Sequence, residues 1–144
     1  MNNQIPPSLF EAIQTEPLWL QAWVMLLGLS LIASVFFVVG RSEGGWKLRP
    51  ECLAILASLF VAGAIMEWLY AQVGYVRLLG LGHLIGWTPV YAYVLWRRKK
   101  IGTDTWFGKY IHVYLIVAGI SLLIDAVDVI RYLAGDGELY LRWA

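Results

Sequence analysis

Charge is scarce in this chain. Charged residues fill 15% of its 144 positions, and 11 Lys and Arg nearly balance 10 Asp and Glu. An ordinary soluble domain has about 25%. With no field of one sign to attract a polyanion, a nucleic-acid-binding role is excluded. Cysteine is scarcer still. Cys52 stands alone, so neither a disulfide framework nor a thiolate cluster can form. Local enzyme signatures are missing as well: there is no G-x-S-x-G, H-E-x-x-H, P-loop or Rossmann glycine pattern. No apolar stretch alternates with period two, which removes the pattern of a membrane β-barrel.

What is abundant is apolar surface. Hydrophobic residues make up 60% of the chain, and mean hydropathy is +0.65. Such a composition belongs to an integral membrane protein whose main partner is the lipid bilayer. Four stretches, at 18–40, 51–74, 77–97 and 110–132, are each long enough to cross a hydrocarbon core that takes about 20 helical residues. Their short linkers predict an all-α fold, with four antiparallel transmembrane helices in a compact bundle forming a single membrane domain over 1–144. The first stretch is too long for a secretory h-region, and Lys and Arg are missing from positions 1–17, so no signal peptide is expected there. Ser8 and Glu11 have capping-box spacing, and Leu9, Phe10 and Ile13 make an apolar side. A short interfacial helix is predicted over 6–16, stopped near Pro17. Residues 133–144 form a tail.

Basic residues set the orientation. Arg41, Lys47, Arg49, Arg97, Arg98, Lys99, Lys100 and Lys109 fall in the first and third loops. Only Arg77, Arg131 and Arg142 fall on the other side. Both termini are therefore expected on the non-cytoplasmic side, as in a bacterial inner-membrane protein. Trp46, Trp96 and Trp106 then mark the inner boundary. Trp19, Trp23, Trp68 and Trp143 mark the outer one, and Trp87 lies near mid-membrane.

At about 1.5 Å of rise per residue, depth can be assigned. Glu67 comes out about 7–8 Å outward of the midplane, His83 and Asp125 about 6 Å, Asp128 about 10 Å and Arg131 about 15 Å. Ionisable groups from three helices thus fall in one slab. Ser121, Asp125, Asp128 and Tyr132 share a helical face. Carboxylates in lipid cost several kcal/mol, so this face is expected to turn inward. Gly82 and Gly86 permit a close helix contact beside His83.

These residues predict an outward-facing polar pocket lined by Glu67, His83, Trp87, Asp125, Asp128 and Arg131. Its chemistry suits a divalent metal held by Glu67, His83, Asp125 and Asp128, or protons shared among the acids, or a small polar ligand. Plainer readings stand beside it. Asp128 with Arg131 is an i,i+3 ion pair, His83 is a hydrogen-bonded packing residue, and Glu67 is a protonated interhelical link. An accessory subunit of a larger membrane complex is the alternative function. A homo-oligomer fits as well, and a membrane enzyme using the same pocket is third. The helix pairs show no inverted repeat of the kind that marks a carrier.

Overall fold

The computed structural model describes residues 6–138; positions 139–144 of the expected tail, with Arg142 and Trp143, lie outside them. The chain is mostly helical, with four helices long and apolar enough to cross a membrane: Leu18–Phe37, Pro50–Val73, Arg77–Ile101 and Trp106–Leu133.

A short helix α1, Leu9–Gln14, comes first. Ser8 accepts the Glu11 amide at 3.3 Å, which satisfies one of the donors left open at a helix start. Pro17 then opens α2, Leu18–Ile32, which tightens into a 3-10 turn over Ala33–Phe37. Here the chain departs from the expected span to 40 and from the loop expected after it. Strands β1, Val39–Ser42, and β2, Gly45–Leu48, pair antiparallel, with Val39 opposite Leu48 and Ser42 opposite Gly45. The cause is local. β-Branched Val38 and Val39 lead in, and Gly45 takes φ 111, a backbone that other residues rarely adopt, to close a two-residue turn.

Helix α3, Pro50–Val73, starts on a proline, whose missing N–H goes unneeded at that position. A 3-10 turn, Arg77–Leu79, leads into α4, Gly80–Ile101. Helix α5, Trp106–Leu133, begins where Thr105 accepts the Gly108 amide at 3.0 Å. That cap places the start four residues before the expected 110 and takes Lys109 into the helix. Its 28 residues span about 42 Å, more than the roughly 30 Å hydrocarbon thickness.

Helix α3 packs on α4, α4 packs on α5, and α2 touches α3 and α5. Leu31, Ile55, Val94, Ile111 and Tyr114 are fully buried among them. Lipid is as apolar as leucine, so burial alone does not hold these helices together; close packing and hydrogen bonds must. Both are present. A Cβ on Gly86 would lie 2.8 Å from the Ala62 Cα, so this glycine lets α3 and α4 approach backbone to backbone. Tyr110 donates to the Ser30 carbonyl at 2.7 Å, and Tyr91 donates to that of Leu115 at 3.1 Å. A second core, of Leu9, Ala12, Leu69, Tyr70 and Leu79, seats α1 on the end of α3. Phe36, Phe60 and Leu123 stand exposed on the outer faces, an apolar surface too extensive for a water-soluble monomer.

Candidate functional site

The ionisable pair nearest the middle of the spans, among the described residues, is His83 and Asp125. His83 sits one turn into α4, and its Nδ1 lies 2.9 Å from Asp125 Oδ2 on α5. An ionised carboxylate only accepts, so Nδ1 carries the proton between them. Ser121, one turn earlier on the same face of α5, donates to the same oxygen at 3.3 Å. The His83 ring stacks on Trp87, with centroids 3.9 Å apart and planes 18° from parallel. Both side chains of the pair are largely enclosed, at 18% and 15% exposure. Gly80 adjoins the carboxylate on its other side: a Cβ there would come 3.0 Å from Asp125 Oδ1. Among the described residues His83 Nε2 has no hydrogen-bond partner. Trp87 Nε1, on the ring stacked against the imidazole, is a buried donor without one.

The other expected members do not join them. Glu67 accepts the Leu9 amide through both oxygens, at 3.4 and 3.3 Å, and so caps α1. The reason is rotational. Ala62 faces Gly86 of α4, and five residues further along a helix is about 140° around it, so Glu67 leaves that face despite its matching depth. Asp128 lies 3.2 Å from Arg77 Nη1, a base arriving from the turn before α4. Arg131 is not its partner but reaches Asp136 at 2.8 Å, and Arg77 Nε meets Asp136 at 3.0 Å.

The four-ligand metal constellation is therefore not assembled. Among the described residues no three His, Cys, Asp or Glu side chains stand where they could hold a metal ion. The two best-formed cavities lie elsewhere. A groove of about 710 Å³ runs between α4 and α5 past Tyr91, Arg98 and His112, and a smaller cleft lies beside the hairpin. Neither includes Glu67, His83, Asp125 or Asp128.

Sequence reasoning missed two buried acids, Glu16 and Glu51. Glu51, 3% exposed, accepts from Arg97 at 2.8 Å and ties the start of α3 to the last turns of α4. A signal existed, because both residues fall at the same end of consecutive apolar stretches. Comparison with protein families, with curated proteins and with solved structures finds no match to this chain.

Proposed function

We propose that this is a small integral membrane protein in which the His83–Asp125 pair binds a proton within the bilayer. The four spans run antiparallel as a bundle, with both termini on the non-cytoplasmic side of a bacterial inner membrane, and the pair lies in the outer half. Base counts support that orientation: eight bases fall at the hairpin, in the last turns of α4 and in the first turn of α5, against three elsewhere.

The observation that carries the reading is the 2.9 Å contact between an imidazole and a carboxylate inside two apolar helices. With His83 protonated the pair is net neutral. Without that proton it is an anion in a medium that stabilises charge poorly. Proton occupancy is thus the variable to which this site is most sensitive. Trp87 holds the imidazole ring by stacking on its face, and Ser121 holds the carboxylate toward His83. The unpartnered Nε2 is the route by which a proton enters or leaves.

The accessory-subunit alternative has less support. It needs acids free to pair with a partner helix, yet Glu67, Asp125 and Asp128 each already accept a hydrogen bond within the chain. A metal is disfavoured by the dispersal of the four donors.

Proton uptake on acidification, measured per folded chain in nanodiscs, tests the proposal. The wild-type chain takes up about one proton more than either Asp125→Asn or His83→Gln. Asparagine keeps the size and hydrogen-bonding capacity of Asp125, so its fold persists. Asp125→Leu strands His83 and destabilises by about 1–3 kcal/mol. Equal uptake by wild type and a well-folded Asp125→Asn protein contradicts the proposal.

A further inference from the structure

A cleft of about 310 Å³ opens beside the β1–β2 hairpin, walled by the hairpin, the first turn of α3 and the last turns of α4. Five cations line it, Arg41, Lys47, Arg49, Arg97 and Lys100, against the single acid Glu51. Glu51 is already taken by Arg97 at 2.8 Å. Arg49 donates to the Phe37 carbonyl at 3.1 Å and lies 4.1 Å over the Phe107 ring, contacts that orient it without cancelling its charge. A Cβ on Gly40 would meet the Arg49 Cζ at 2.5 Å, so the guanidinium lies directly against the bare backbone there. Arg41, Lys47 and Lys100 are exposed and form no ion pair among the described residues. Four positive charges thus share one concavity with no anion to offset them. Like charges so placed repel one another, and an anion in the cleft relieves that repulsion.

Two features identify the anion. The cleft is amphipathic, with Leu48, Ile101 and Phe107 in the same wall as the cations. Its depth is marked by Trp46, Trp96 and Trp106, each next in sequence to a lining residue and 75%, 76% and 79% exposed, as indoles are at the headgroup layer. Trp46 is the cross-strand partner of Arg41. A free phosphate would gain nothing from the apolar wall or from the membrane depth. A phospholipid uses both, because guanidinium and ammonium groups meet its phosphate while its glycerol and first methylenes lie on the leucine and phenylalanine. We propose that this cleft is a binding site for the headgroup of an anionic phospholipid.

Native mass spectrometry of the detergent-solubilised full chain, titrated with phosphatidylglycerol or phosphatidylcholine, tests the site. Wild type prefers phosphatidylglycerol at least tenfold. Each cation near a phosphate adds roughly fivefold. The Arg41→Gln, Lys47→Gln, Lys100→Gln triple variant therefore loses the preference, by about a hundredfold if the contributions add. A matched triple, Arg98→Gln, Lys99→Gln, Lys109→Gln, removes the same charge outside the cleft and keeps the preference within about threefold. Should the cleft triple fail to fold, the single variants Lys47→Gln and Lys100→Gln, both at exposed positions, each lose about fivefold. Three outcomes overturn the proposal. Wild type shows no preference, or both triples weaken it equally, which is diffuse surface charge only. In the third, millimolar inorganic phosphate displaces phosphatidylglycerol, which makes the site one for free phosphate.

Discussion

At the end of the assembly where α1 docks, Glu67 accepts the Leu9 amide, Asp128 pairs with Arg77, and Asp136 joins Arg77 to Arg131. At the hairpin end, Glu51 takes Arg97 while Arg41, Lys47 and Lys100 meet no acid among the described residues. Both ends hold charge beside apolar spans, and both hold more than one base. They differ in whether the chain supplies its own counter-charges. Where it does, the charges staple helices and turns to one another and are accounted for by the fold. Where it does not, the surplus stands exposed at the surface. The His83–Asp125 pair is the intermediate case, self-neutralised only while it holds a proton.

Removing one acid at each end sharpens that contrast. Glu51 is buried and Glu67 is exposed apart from its bond to α1. Glu51→Ala leaves the partly buried Arg97 without its counter-charge and destabilises by about 2–3 kcal/mol. Glu67→Ala removes only a cap on a six-residue helix and costs about 1 kcal/mol. Thermal unfolding in detergent measures both. Equal losses would remove the distinction between a staple in the core and a cap at the rim.

A smaller effect is expected at Glu16, before the first span. Burial pushes its carboxyl above the usual glutamate range, partly offset by a hydrogen bond from Tyr75. The folded protein therefore binds this proton more tightly than the unfolded chain does. Its contribution to stability is full below the ordinary glutamate range and is lost as pH rises through the higher folded value. Glu16→Gln, neutral throughout, should raise the unfolding midpoint near pH 7 by a few degrees at most. That gain should vanish by about pH 4, where glutamate is largely protonated in both states. A gain that persists at acidic pH would show that packing, not proton linkage, sets the difference.

Much of the architecture was legible in the sequence because apolar length is a direct signal of crossing a membrane. The four spans are such a case. The shared level of His83 and Asp125 was legible too, since residue number along a helix converts to distance, and the two side chains meet at 2.9 Å. Rotation was not, and Glu67 stands apart from His83 and Asp125 for that reason. Glu67 and His83 agree in depth, but Glu67 lies about 140° around α3 from the face that meets α4. Asp125 and Ser121 share a face at i,i+4 spacing, and there the pattern and the geometry coincide. Arg77 as partner of Asp128 was hidden because tertiary contact, not sequence spacing, brings it in. The hairpin was missed although Gly44 and Gly45 flanked by Val38, Val39 and Trp46 carry a turn signal. A long apolar run ending nearby outweighed it.

The most direct measurement is ¹⁵N NMR of the imidazoles in nanodiscs across pH. The chain has only two histidines, and His83→Gln assigns both signals. The His83 Nδ1 resonance should report a proton held against a carboxylate. Asp125→Asn should shift that resonance and its pH response, leaving His112, whose Nδ1 faces the Gly108 carbonyl, unchanged. Identical His83 spectra in wild type and Asp125→Asn at every pH would contradict it.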